Sequence, residues 1–132
     1  MSFQSIIQAG VIAVWFLSTS NDTQRAAPPS PVTCDRNHLT SFTGRVVSYN
    51  REKGRIALAM RTDEETNEKF SVRLEQGEDG SKHFLMRGQQ FKETDWAIIE
   101  VSRSKLRQGM RAIVWVCDDG SAPVIDWRPR EP

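Results

Sequence analysis

Few residues in this chain have the types and spacings that chemistry needs. There are two cysteines, Cys34 and Cys117, and two histidines, His38 and His83, with acids clustered at Asp63-Glu64-Glu65 and Asp118-Asp119. Each acidic cluster falls in a turn, where carboxylates cap backbone amides rather than work as an acid/base pair. No Gly-rich phosphate loop occurs, and a Cys34 or Cys117 nucleophile would need a spatial partner that the sequence does not identify. The expectation is a chain that is not an enzyme and carries no cofactor or metal. The cysteines show no Cys-x-x-Cys spacing, which removes a thioredoxin-type or zinc reading. In an oxidising compartment Cys34 and Cys117 would join the start of the domain to a late strand, a bridge of roughly 4–5 kcal/mol in the chain-entropy picture. In a reducing one they stay as two half-buried thiols.

The compartment is read from where charge is missing. The net charge is +1, from 18 basic and 17 acidic residues, which argues against a dedicated nucleic-acid binder or a polybasic membrane patch. Asp22 is the first charged side chain and Arg25 the second. Before them residues 6–17 form an apolar run broken by Gln8, Ala9 and Gly10. Such a run is shorter than the ~20 residues of a spanning helix and suits a signal-peptide core of about 7–15. Ser18 and Ser20 supply the small residues of a cleavage site, but no Lys or Arg precedes the run. Three readings therefore stand side by side: a cleaved signal peptide over residues 1–20, an uncleaved anchor in which residues 2–20 span the membrane, and a buried terminal helix or strand. Residues 21–40 read as a linker, because Pro28, Pro29 and Pro31 favour extended chain. Asn21-Asp22-Thr23 matches a glycosylation acceptor, a short motif that arises often by chance. The domain proper is then residues 41–132, placed in the periplasm or outside the cell.

From Phe42 onward the hydrophobic period is two. Residues 43–49 (TGRVVSY) form a strand, residues 50–54 a turn, and residues 55–61 a second strand with Ile56, Leu58 and Met60 on one face. Phe70, Val72 and Leu74 mark a third, and residues 83–86 a short fourth. Residues 96–101 (WAIIEV) are apolar and fit a strand or a helix, with their β-branched content favouring a strand, while residues 102–109 predict a helical turn from Ser102 to Gly109. Residues 110–117 (MRAIVWVC), apolar on both faces beyond Arg111, predict a central strand. Pro123 and Pro129 confine a last strand, residues 124–128, to a sheet edge. Five or six short strands with regular turns predict an all-β fold, a sandwich or small barrel.

The runs Phe42-Thr-Gly44-Arg-Val46-Val-Ser48, Gly54-Arg-Ile56-Ala-Leu58-Ala-Met60, Phe70-Ser-Val72 and Lys105-Leu-Arg-Gln-Gly109-Met-Arg-Ala112-Ile-Val114 resemble the strand grammar of small bacterial OB-fold domains. The resemblance spans residues 41–128, is one of fold, and is partly shared with SH3-like barrels. It implies an OB-like β-barrel of five to six strands behind the N-terminal hydrophobic helix and Pro-rich linker. Periplasmic proteins of this kind include a haem chaperone and copper carriers. The haem motif His-x-x-x-Tyr is missing, since Phe42 follows His38, Arg87 follows His83, and Tyr49 stands alone. A Cu(I) carrier would draw on Met60, Met86, Met110, His38, His83 and a nearby Trp. Met60, however, alternates with Ile56 and Leu58 as core filler.

Two binding surfaces follow. An OB-like domain binds on the outer face of its second and third strands, which would show Arg55, Arg61, Lys69 and Arg73 as a basic stripe for an anionic ligand. Nucleic acid is disfavoured there because no aromatic side chain interleaves to stack bases and Glu64, Glu65, Glu68 and Glu75 lie close by. Trp96, Trp115 and Trp127 are the second set, as interface anchors or core residues. Together these predict a non-catalytic binding module, or accessory subunit of a cell-envelope complex, with protein partners there and possible membrane contact through residues 2–20. The alternatives are an anionic-ligand or nucleic-acid binder using the basic face, and a periplasmic Cu(I) carrier.

Overall fold

The computed structural model describes residues 31–52 and 54–130. The expected signal or anchor segment and most of the linker lie outside these residues.

The sheet is organised on β1 (Leu39–Glu52), a strand of 14 residues. Its first half pairs antiparallel with β8 (Arg111–Cys117) and its second half with β2 (Arg55–Thr62). The handover falls at Gly44, which stands opposite Ala112 on one side and Thr62 on the other. A Cβ at this position would lie 2.2 Å from the Arg61 carbonyl oxygen and 2.6 Å from Thr62 Cα, so only glycine lets the two backbones close. A bulge between Val46 and Ser48 then resets the register. Because of it Tyr49 and Arg51, not Ser48 and Asn50, share the inward side with Val46.

β3 (Asn67–Arg73) pairs antiparallel with β2, and β9 (Val124–Trp127) with β8. A short β4 (Phe84–Met86) runs parallel to β9 and carries β5 (Gln89–Gln90) at its outer side. The seven strands follow the order β3-β2-β1-β8-β9-β4-β5. Between β5 and β8 a helical turn, α1 (Trp96–Ile99), leads into a separate hairpin of β6 (Glu100–Ser102) and β7 (Lys105–Leu106).

The period of two puts its apolar set where it predicts. Ile56, Leu58, Met60, Val72 and Leu74 enter one buried cluster with Phe84, Met86, Val114, Ile125 and Trp127, and Phe70 packs against it. Burial of this set is the main favourable contribution to folding. The class is all-β, and the sheet wraps this core without closing into a barrel. Its end strands, β3 and β5, do not pair, and β4 and β5, at three and two residues, are too short to bridge the gap.

Three local expectations are corrected. Residues 96–99 are helical, because Trp96 and Ile99, three apart, turn towards the core while Ile98 stays exposed, a helical rather than a strand spacing. The turn is prepared by Asp95, whose carboxylate accepts from the Lys92 amide at 2.8 Å. Where residues 102–109 are expected to make a helical turn, residues 100–106 form the β6–β7 hairpin. Ser104 takes a left-handed φ of 68° that a helix does not accommodate, and its Oγ accepts from the Arg51 amide at 2.6 Å. The last strand is not at an edge: Pro123 and Pro129 stand just outside β9, so its amides pair with both β8 and β4. β8 is the central strand of the seven, as its apolar pattern predicts.

A disulfide joins Cys34 to Cys117 across 83 positions, pinning the chain ahead of β1 to the end of β8. His38 strengthens the junction: its carbonyl accepts from the Asp118 amide at 2.9 Å and its ring meets the Asp118 carboxylate at 3.0 Å. Such a bridge fits an oxidising extracellular environment. Among the described residues no helix is long and apolar enough to cross a membrane.

Candidate binding face

Directly opposed residues in antiparallel strands project from the same side of the sheet. With Ile56, Leu58 and Met60 facing in, Arg55, Ala57, Ala59 and Arg61 of β2 face out. On β3 the outward set is Asn67, Lys69, Ser71 and Arg73. The register places Arg55 opposite Arg73, Ala59 opposite Lys69, and Arg61 opposite Asn67. The four cations singled out from the sequence therefore lie on one face.

Two further arginines join them. Arg45 on β1 stands opposite Arg61 on one side and Arg111 of β8 on the other, so Arg111, Arg45 and Arg61 form a row across three strands. Alternation with the inward Gly44 and Val46 is the signal that could have found Arg45 in the sequence. Arg111 becomes visible only through the strand pairing. Between this row and the Arg55–Arg73 pair lie the short side chains of Ser48, Ala57, Ala59 and Ser71, together with Asn50 and with Lys69 opposite Ala59.

Like charges set directly opposite destabilise a sheet. The outer members of the row are partly neutralised: Arg111 Nη2 donates to both Asp63 carboxylate oxygens at 2.9 and 2.6 Å. Arg61 reaches Glu65 at 3.8 Å and Asn67 Oδ1 at 3.3 Å. These pairs are solvent-exposed and contribute little stability. Arg45, between them, is exposed.

The face is held by a buried network at the far end of β1. Arg51 donates to Glu100 through Nε at 2.9 Å and Nη2 at 2.8 Å, and its guanidinium lies 4.1 Å from the centroid of the Trp96 ring. Tyr49 donates its hydroxyl to the same carboxylate at 2.5 Å. Burial opposes ionisation of Glu100, but the bonds from Arg51 and Tyr49 outweigh it and hold its pKa below the ordinary value. Burial, then the bond to Glu100, pushes the Tyr49 phenol far above its own. The network ties β1 to the β6–β7 hairpin.

The tryptophans separate. Trp127 is fully buried among Tyr49 and Phe84. Trp96 meets Phe84 and Phe91 edge to face under Arg51. Trp115 lies on the outward side of β8, outside the main core cluster, yet is 8% exposed. The structure does not bring the three together as one exposed patch. Met60, Met86 and Met110 are core residues, and His83 is bonded to Glu78 at 2.7 Å. Among the described residues no three His, Cys, Asp or Glu gather so as to hold a metal ion. The acidic clusters act as turn residues: Asp119 accepts from the Ser121 hydroxyl and amide, which lower its pKa.

Set against protein-family models, curated proteins and solved structures, the chain finds no match, so its function is argued from its own residues.

Proposed function

We propose that the protein is a non-catalytic binding module, exported or membrane-tethered, that receives an anionic partner of a cell-envelope complex on the outer face of β8, β1, β2 and β3. The observation carrying this reading is the cross-strand row Arg111–Arg45–Arg61. A row of like charges is a standing electrostatic penalty in the isolated domain, and an acidic partner removes it. The short side chains of Ala57, Ala59 and Ser71 leave room for a partner surface to reach Lys69 and the cations at both ends of the face. Single-stranded nucleic acid suits the face less well, since no aromatic side chain on the outward positions of β2 or β3 offers a base a stacking platform. The strand order supports an OB-like reading: β1 is shared by β2 and β8, as in the partly open Greek-key barrel of that fold. The disulfide supports export.

A photo-crosslinking residue placed at Ala59 in the native host tests the reading. The expected result is a discrete adduct that weakens with added salt and disappears in Arg45→Glu/Arg61→Glu. An adduct indifferent to both, or none from Ala59 when Lys82 gives one, would overturn it.

A further inference from the structure

We propose that a second surface, built around residues 105–109, docks the folded domain onto an anionic lipid bilayer. This does not rest on the partner reading of the sheet face.

Residues 105–109 form a wall, of which Arg107, Gln108 and Gly109 line the grooves on both sides. One, of about 750 Å³, separates the wall from residues 45–49 of β1 and carries Arg45, Lys105 and Arg107. The other, of about 560 Å³, separates it from Ile98 and Pro129 and carries Arg87, Arg107 and Arg130. Among the described residues neither groove has an acidic residue in its lining. The acids collect elsewhere: Glu52, Glu75, Glu78 and Asp79 line a third groove. A net charge of +1 is therefore compatible with locally cationic surface at these two grooves.

The exposed large hydrophobic side chains among the described residues are Val47, Ile98 and Val101, at 54, 38 and 52% exposure. All three border this wall. Val47 lies in the first groove and Ile98 in the second. Val101 belongs to β6, which pairs with β7 beside Lys105. Single aliphatic side chains set among cations, with no acid between them, match the boundary between headgroups and acyl chains: charge attracts and the aliphatics insert. What sets this surface apart from the sheet face is the exposed aliphatic side chain beside the cations of each groove, which a headgroup layer accommodates. The one aromatic lining either groove, Tyr49, has already given its hydroxyl to Glu100.

The wall is preorganised. The Arg107 amide donates to Ile99 O at 2.8 Å and its Nε to Ala97 O at 3.0 Å. Its two ends are tied to β1, at Ser104 through the Arg51 amide and at Met110 through the Val46 amide. Little ordering is left to be lost on docking.

Hydrogen exchange of the full chain, mixed with phosphatidylcholine vesicles with or without phosphatidylglycerol, is the test, because its readout is local whatever residues 1–20 do. Exchange over residues 98–109 is expected to slow with phosphatidylglycerol present and to stay unchanged with phosphatidylcholine alone or with inorganic phosphate. Lys105→Gln should weaken that protection about fivefold, the usual worth of one cation at an anionic surface. Val101→Ser should weaken it at constant charge. Both positions are exposed, so neither substitution touches the core. Equal protection with both vesicle types, or none with either, would overturn the proposal. Protection confined to β2 and β3 would also overturn it while leaving the sheet-face reading intact.

Discussion

Arg51 and Glu100, 49 positions apart, meet in a buried two-point pair, with side chains 9 and 5% exposed. Removing one partner strands a charge in a site that water does not reach. Arg51→Met alone should therefore cost about 3–5 kcal/mol, and Arg51→Met/Glu100→Leu distinctly less, because the double change leaves no unpaired ion. Urea unfolding of the two variants against the parent measures both. A double variant as unstable as the single one would show that the pair contributes through shape rather than charge.

Tyr49 is the single tyrosine of the chain, so tyrosinate absorbance reports on it alone. Its native pKa is raised, so the stability it confers is fully present below the ordinary value of 10.0 and is lost as pH rises above it. Glu100 carries the opposite sign. Its native pKa lies below 4.5, so its contribution holds above that value and is lost as the solution is acidified through the depressed native value. We expect tyrosinate to appear only as the domain unfolds at high pH, and Tyr49→Phe to flatten the alkaline limb while weakening the acid limb only in part, because Arg51 still donates to Glu100. Ionisation near pH 10.0 with the fold intact would refute this.

The Cys34–Cys117 bridge closes a loop of 83 positions and holds the chain onto β8 just before β1 begins. Cys34→Ser/Cys117→Ser should lower stability by about 2–5 kcal/mol, with the largest gain in hydrogen exchange at the start of β1, where His38 and Asp118 lose their fixed spacing. A uniform gain across the sheet would mean that the bridge acts only through the unfolded chain.

Gly44→Ala tests the corner of β1. The added methyl meets backbone, not a flexible side-chain end, so the strands must part where β1 passes from β8 to β2. We expect a loss of about 3 kcal/mol or more, comparable to a severe packing defect. Thermal unfolding reads it, and a near-neutral result would show that β1 bends elsewhere.

The alternation Ile56-Leu58-Met60 and Val72-Leu74 was legible because a half-buried strand has only one period to show, and the shared face of Arg55, Arg61, Lys69 and Arg73 follows from its complement. Arg111 was not legible as a neighbour of Arg45, because lateral register is set by Gly44 and the bulge at Val46/Ser48, neither of which leaves a periodic trace. Trp96–Ile99 misled for another reason. β-branched composition points to a strand, whereas the turn that Asp95 closes on the Lys92 amide just ahead, and the spacing of Trp96 and Ile99, decide for a helix in its folded context. Overall composition also hid the two cationic grooves, since a near-zero sum says nothing about where each sign sits.

Arg45→Glu separates the demands of stability from those of binding. In the isolated domain the new carboxylate stands between Arg61 and Arg111, turning two repulsive cross-strand neighbours into attractive ones. Opposed pairs of this kind are worth roughly 0.2–1 kcal/mol each, so the substitution should stabilise the domain by about 1 kcal/mol. The same change removes the centre of the cationic row, so the salt-sensitive adduct at Ala59 should be lost. A more stable protein that no longer engages its partner is the expected phenotype, read by urea unfolding and crosslinking on the same preparation. Loss of stability together with binding would mean that Arg45 holds the sheet rather than serving the face.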